Sequence, residues 1–215
     1  MGFLPSANGL LLLITTAVVL LLIPGPAVLY VVTRSVDQGR RAGLASSSGI
    51  ATGTLAHVLA ATCGLSALLV TSATAYSVVK YAGAAYLFYL GVKKFRERSP
   101  ENDEVKHVQP LPLRRVYSQG VLVQVLNPKT AIFFVAFLPQ FVDPARGHLS
   151  LQFFTLGMLF ALMGFASDSM WAITAGSAAG WLRRNKTFIR NERYVSGTVY
   201  LGLSMATAVS GSRHK

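Results

Sequence analysis

The sequence has little charge and almost no cysteine. Lysine, arginine, aspartate and glutamate together make up 13% of its 215 residues, whereas about 25% is usual for a soluble globular domain. Its one cysteine, Cys63, cannot form a disulfide within the chain and cannot supply a cysteine-based metal centre. The composition therefore excludes a disulfide-stapled scaffold and differs from that of an ordinary soluble domain.

Hydrophobic residues make up 52% of the chain and are concentrated in long runs. A membrane-spanning helix needs about 20 consecutive, mainly apolar residues. No lysine or arginine precedes the first run, so we expect a retained helix rather than a signal peptide. The pattern predicts an all-α polytopic membrane protein with six transmembrane helices. The six runs are 10–32, 44–70, 76–92, 116–138, 154–179 and 195–211.

Acidic residues are scarce, and the basic residues are unevenly placed. The chain has 8 acidic and 20 basic residues, with a net charge of +12. Fifteen of the basic residues lie in three alternate connections, at 32–43, 93–115 and 181–194. This is the positive-inside pattern, which predicts three cytoplasmic loops in a cell membrane and both termini outside. No aromatic residues are interleaved with the basic ones, so we predict no nucleic-acid partner.

The longest polar connection divides the chain into two halves. Residues 93–115 have the mixed charge and proline content of a solvated cytoplasmic linker. They separate a first half, 1–92, from a second half, 116–215, with three predicted spans each. Because each half has an odd number of spans, the halves face opposite ways across the membrane. Inverted three-helix repeats of this kind are typical of secondary transporters.

Prolines interrupt the first and fourth runs near their middle, as PGP at 24–26 and NPK at 127–129. Asparagine is a favoured helix N-cap, and proline is favoured at the first helical position. Each break is therefore predicted to start a new half-helix whose free N–H groups attract an anionic group such as a carboxylate. The predicted substrate-binding residues are Pro24, Gly25, Pro26, Ala27, Asn127, Pro128, Lys129 and Asp168.

Three ionisable side chains are predicted at mid-depth in the membrane. A charge there costs about 2.5 kcal/mol or more, so Lys129 and Asp168 are candidates for function. The alternative for these two is a purely structural ion pair. Asp168 and His57 are the candidates for proton coupling, and His57 could instead be a packed, hydrogen-bonded residue.

Small-residue strips occur in the second and fifth runs. Gly49 and Gly53 are four residues apart, as are Gly176 and Gly180. Such spacing lets helices approach closely. The strips favour packing within the chain, and they would also fit a homodimer interface.

Several stretches resemble the LysE/RhtB family of amino-acid exporters. They are PGP in the first run, the glycine-rich second run, GAAYLFYLG at 83–91 and LNPKTAIFFVAFLPQF at 126–141. The resemblance covers nearly the whole chain. It implies a six-helix protein of the bacterial inner membrane that exports amino acids in exchange for protons, with a small-molecule amino-acid substrate and no enzymatic activity.

Two positions depart from the pattern that the resemblance implies. Ala27 follows PGP, and Thr54 follows the glycine of the second run, whereas the family often has polar or acidic residues at these places. Both differences remove groups that could hold a cation. We therefore expect a neutral or apolar amino acid rather than a dibasic one.

Three other classes of protein stay open at this point. One is a structural membrane subunit, which would not need charged residues at mid-depth or paired broken helices. A transporter of metal ions or other small solutes could use the same scaffold, although His57, Cys63 and Asp168 are few ligands for a metal. An intramembrane enzyme would need an activated serine beside a histidine, and Ser48 lies on the opposite helix face from His57. We predict no catalytic residue, metal site or cofactor.

Overall fold

The computed structural model describes residues 5–65 and 110–179, together with a few isolated positions between 78 and 96 and at 205. These residues form helices and the short connections between them, and none of them forms a strand. The third and sixth apolar runs lie outside the continuously described residues, as does most of the 93–115 linker. The all-helical class is confirmed, while the arrangement in inverted repeats stays a prediction.

The first span is broken where the sequence predicts. Helix α1 comprises Ala7–Leu22, and α2 comprises Pro26–Gln38. Their axes differ by 49°. Ile23 has extended backbone, and α2 restarts at Pro26, where the missing proline N–H costs no helical hydrogen bond.

One residue joins the second and third helices. Gly39 ends α2 and precedes α3, which comprises Arg40–Ala60. Its φ of +82° lies in a region that glycine adopts without steric cost. A π-helical turn, Ala61–Leu65, follows α3.

The fourth span is also broken. Helix α4 comprises Leu113–Val125, so residues 113–115 of the predicted linker form its first turn. Helix α5 comprises Pro128–Ile132. It continues as a π-helical turn, Phe133–Phe137, and a 3₁₀ turn, Leu138–Phe141. The axis bends by 44° between α4 and this continuation.

The last described helix, α6, comprises Leu149–Ser177 and follows a 3₁₀ turn, Pro144–Arg146. Within the described ranges it is the one unbroken helix whose length and apolar composition suffice to cross a membrane; counting each bent pair as one span brings the total to three. Helix α3 has the length of a span but carries many serine, glycine and threonine residues.

Glycines bring α3 and α4 into direct backbone contact. A Cβ atom added to Gly49 would collide with the carbonyl oxygen of Tyr117, and one on Gly53 would lie 2.7 Å from the Val121 oxygen. A Cβ on Gly120 would lie 2.8 Å from the Ser46 oxygen. The first glycine strip therefore serves packing within the chain. Gly180, at the end of the second strip, lies outside the described residues.

Polar side chains tie α2 to α4. Arg34, which is almost fully buried, donates to Gln119 Oε1 at 3.0 Å. The Tyr30 hydroxyl donates to the Val116 carbonyl at 2.8 Å. The Arg34 guanidinium also lies 5.5 Å from the centre of the Tyr30 ring. These contacts join the half-helix after the first break to the half-helix before the second.

Aromatic stacking fixes the continuation of the fourth span against α6. The rings of Phe133 and Phe160 are stacked with centroids 4.1 Å apart. Phe134 meets Phe160 edge-on at 5.5 Å. Leu13, Ala17 and Leu20 of α1 complete this buried cluster. The outcome is a packed apolar region directly beside the two breaks.

Candidate functional site

The two breaks meet at a small buried cavity. Its volume is about 30 Å³, which is room for one or two water molecules. Each break contributes to its wall, and α3 and α6 complete it. The sequence predicts such a meeting point from two separate motifs more than 100 residues apart, and the structure brings residues of both motifs to one place.

The first break presents the beginning of α2 to this cavity. Gly25, Ala27 and Val28 line it, and Gly25 provides no side-chain cap. The N–H groups of a helix's first turn have no acceptor within the helix. The side chain of Ala27 is a methyl group and cannot form a hydrogen bond. This break therefore offers a ligand its backbone N–H groups and the positive end of a helix dipole.

The second break is capped by its own asparagine. Asn127 Oδ1 accepts the backbone N–H of Lys129 at 3.1 Å, as expected for an N-cap residue. Pro128 takes the first helical position. The N–H of Lys129 is therefore used inside the chain rather than offered to the cavity.

The Lys129 ammonium lies against the end of α1. Its Nζ donates to the carbonyl oxygen of Ile23 at 2.7 Å, and the residue is only 7% exposed. The last carbonyls of a helix lack intrahelical donors and carry partial negative charge. The cation of the second break thus completes the helix that precedes the first break.

Asp168 faces the cavity from α6. It is 5% exposed and lines the cavity together with Lys129, and the charges of the two residues interact electrostatically. A buried carboxylate and a buried ammonium at one cavity match the two ends of a zwitterion. They also match each other, so the structural ion pair that the sequence allows is consistent with the same geometry.

A buried amide, Gln124, links these elements. Its Nε2 donates to Thr54 Oγ1 at 2.8 Å and to Thr130 Oγ1 at 3.1 Å. Its Oε1 accepts from Asn127 Nδ2 at 3.0 Å. The four side chains are each less than 5% exposed. All hydrogen-bonding groups of this amide except one acceptor position are used, so the network holds Asn127 in the orientation that caps Lys129.

His57 lies next to this network but does not line the cavity. Its Nε2 donates at 3.0 Å to the Gln124 carbonyl at the end of α4, which also accepts the backbone N–H of Asn127. Its ring stacks on Phe134 with centroids 5.9 Å apart. These contacts agree with the alternative that His57 is a packed, hydrogen-bonded residue. A role of His57 in proton coupling stays a prediction.

The predicted site residues fall into two groups. Gly25, Ala27, Asn127, Lys129 and Asp168 line the cavity. The three prolines of the motifs do not line the cavity, and they contribute by ending or beginning helices. They are Pro24, Pro26 and Pro128. Within residues 5–65 and 110–179, no group of three or more His, Cys, Asp or Glu side chains is placed to hold a metal ion.

Sequence reasoning missed three polar residues of the site, namely Thr54 as a hydrogen-bonding group, Gln124 and Thr130. A signal for Gln124 was present, because it is an amide in the apolar stretch VLVQVL and lies three residues before Asn127. An amide buried in such a run needs hydrogen-bond partners. Nothing local indicates that its partner is Thr54, which is 70 residues away.

Fold and site together define a class: a helical membrane protein whose two bent spans meet at a buried cavity lined by one basic and one acidic side chain. The chain belongs to the LysE type translocator family, whose model matches residues 18–211. The matched region includes both breaks, the Gln124 network and Asp168. No solved structure matches the chain.

Curated relatives cover nearly the full length. An uncharacterized membrane protein of Vibrio cholerae is 30% identical over 91% of this chain and 94% of its own. The uncharacterized membrane protein YrhP of Bacillus subtilis is 29% identical over 94% of this chain and 100% of its own. A leucine efflux protein of Salmonella typhimurium is 24% identical over 89% of this chain and 91% of its own.

Proposed function

We propose that this protein is a secondary transporter of the bacterial inner membrane that exports amino acids in exchange for protons. The proposed substrate is neutral or apolar rather than dibasic. The proposed topology has six spans with both termini outside, in accord with the basic connections of the sequence.

One observation carries this proposal: residues of two broken spans share a buried cavity that contains Lys129 and Asp168. Broken helices that meet near the middle of the membrane are how many transporters bind a substrate with exposed backbone groups. Family membership over residues 18–211 supports it, and so does the leucine efflux protein among the relatives.

In the proposed complex the substrate lies between the two breaks. Its carboxylate accepts hydrogen bonds from the first turn of α2, at Ala27 and Val28, where the helix dipole adds attraction. Its ammonium faces the Asp168 carboxylate. The apolar surroundings, including Ile50, Phe160 and Phe165, suit an uncharged side chain, because a second cation would have no further acidic group among these lining residues.

The cavity must enlarge to accept this substrate. A volume of about 30 Å³ is far below the roughly 300 Å³ at which pockets for small organic ligands begin. We therefore propose that the described arrangement is a closed state, and that the spans bend at the two breaks to admit the amino acid.

Proton return would supply the energy, at about 2.3 kcal/mol per charge for each 100 mV of membrane potential. Asp168 is the proposed carrier, because it lines the cavity and could exchange a proton for the substrate ammonium. His57 is the second candidate, through the Gln124 carbonyl that it contacts.

Counterflow in proteoliposomes tests this function. Vesicles with purified protein are loaded with unlabelled leucine, lysine or glutamate, and uptake of labelled leucine is followed. We expect exchange with internal leucine that greatly exceeds exchange with lysine. Folded wild-type protein that exchanges none of a panel of twenty amino acids would refute the proposed function, and strong lysine exchange would refute the proposed selectivity.

A further inference from the structure

The hydroxyl of Thr130 lies where the Gln124 network reaches the cavity. Thr130 is on the first turn after the second break, is 4% exposed and lines the cavity. Its Oγ1 accepts a hydrogen bond from Gln124 Nε2 at 3.1 Å. If the hydrogen of this hydroxyl has no acceptor in the protein, Thr130 can donate it to a ligand.

Two backbone groups fix the direction of every hydrogen bond in the network. At one end Thr54 donates to the Ile50 carbonyl at 3.0 Å, so its oxygen accepts from the Gln124 amide nitrogen. At the other end Asn127 Oδ1 accepts the Lys129 N–H, so its Nδ2 must donate to Gln124 Oε1. The Gln124 nitrogen therefore points to both threonines, and Thr130 can only accept from it.

An acceptor in this bond keeps its own donor. Other threonines of these helices give that hydrogen to the carbonyl four residues earlier, as Thr54, Thr52 and Thr62 do. Thr130 makes no such bond, and the hydrogen bonds found in residues 5–65 and 110–179 include no acceptor for its O–H. A buried hydroxyl with a hydrogen still to donate, at the wall of a cavity, is placed to serve a ligand.

We propose that Thr130 is a substrate-binding residue whose hydroxyl donates to the carboxylate of the bound amino acid. This inference rests on the proposed function. The Thr130 hydroxyl gives the second break a donor for the ligand, because the backbone N–H of Lys129 already donates to Asn127. The carboxylate then lies between the backbone N–H groups of α2 and the Thr130 hydroxyl, and Gln124 keeps that hydroxyl turned toward it.

The test compares Thr130→Val, which keeps the shape and removes the donor, with Thr130→Ser, which keeps the donor. Counterflow gives KM and maximal rate for leucine, and leucinamide, which has a neutral amide in place of the carboxylate, is titrated as a competitor. A hydrogen bond to a charged acceptor corresponds to a rise in KM of about 10- to 100-fold in the valine variant. The serine variant should stay within about threefold of wild type, and inhibition by leucinamide should weaken less than leucine binding.

Thr54→Val measures damage to the network itself, because it removes the other hydroxyl that accepts from Gln124. We expect a similar fall in melting temperature for Thr54→Val and Thr130→Val, with a clearly larger rise in KM for the latter. Equal KM values in wild type and Thr130→Val, or equal losses in the serine and valine variants, would overturn the inference while leaving the proposed function intact. Absence of exchange by the wild type would instead remove the proposed function, and this inference with it.

Discussion

The ammonium of Lys129 and the carbonyl of Ile23 lie 2.7 Å apart, although the two residues are 106 positions apart in the sequence. The two breaks are therefore joined by a direct hydrogen bond. The first break leaves a carbonyl at the end of α1 that lipid could not satisfy, and the second break supplies the donor. Lys129 thus has a structural partner as well as a place beside the cavity.

Replacing Lys129 by methionine should damage both stability and transport. The variant removes a charged donor from the Ile23 carbonyl, at a cost of about 1.5–3 kcal/mol, and it leaves Asp168 without the neighbouring cation. We expect a lower melting temperature in detergent and at least a tenfold loss of leucine counterflow. Lys129→Arg, which keeps the charge, should retain more of both.

Arg146→Met is a suitable control for this loss of a cation. Arg146 pairs with Asp143 on the surface, and both side chains are well exposed, so the ion pair contributes little to stability. Its removal should change neither the melting temperature nor the exchange. Lys129→Met protein with wild-type exchange would contradict the proposed site.

Replacing Asp168 by asparagine should separate exchange from proton coupling. The amide fills the same space and keeps one acceptor oxygen for the substrate ammonium, but it cannot release and rebind a proton near neutral pH. We expect counterflow to persist with weaker binding and accumulation driven by an imposed pH gradient to disappear. Gradient-driven accumulation that survives in Asp168→Asn would exclude Asp168 as the proton carrier.

His57→Gln is the matching variant for the second candidate. A glutamine amide can still donate to the Gln124 carbonyl, but it does not titrate. If Asp168 carries the proton, this variant keeps both counterflow and gradient-driven accumulation. Loss of accumulation alone in His57→Gln would move the proton-carrying role to the histidine.

Adding a methyl group at Gly49 should loosen the contact between α3 and α4. The new Cβ would collide with the backbone oxygen of Tyr117, which cannot turn aside as a side chain could. Overpacking of this kind costs about 1–3 kcal/mol, so Gly49→Ala should lower the melting temperature clearly. Gly64→Ala is the control, because a Cβ there meets nothing within 4 Å; equal stability of the two variants would contradict the close packing.

The breaks could be predicted from the sequence because their causes are local. Asn127 caps the residue two positions later, and Pro26 and Pro128 each start the helix they belong to. A few adjacent residues decide each of these features. That the two breaks meet was predicted from their matching positions in the two halves of the chain.

The partners across the site could not be predicted, because they depend on distant residues. Lys129 reaches Ile23 and Gln124 reaches Thr54 only after the helices have packed. From the sequence, Thr54 was interpreted only as a position that lacks an acidic group. In the structure its hydroxyl accepts a hydrogen bond from the buried amide of Gln124. Such roles depend on which helix packs against the Gly49–Gly53 strip and at what rotation, and the strip itself does not indicate its partner.

The one-residue connection at Gly39 has a mechanical consequence. Because a single residue connects α2 and α3, a displacement of either helix is transmitted to the other. Helix α4 lies against α3 with backbone in contact at Gly49 and Gly120, and it is tied to α2 through Arg34. Both half-spans, α2 and α4, therefore belong to one stiff piece, and the opening that we propose would bend the chain at the two breaks that frame the cavity.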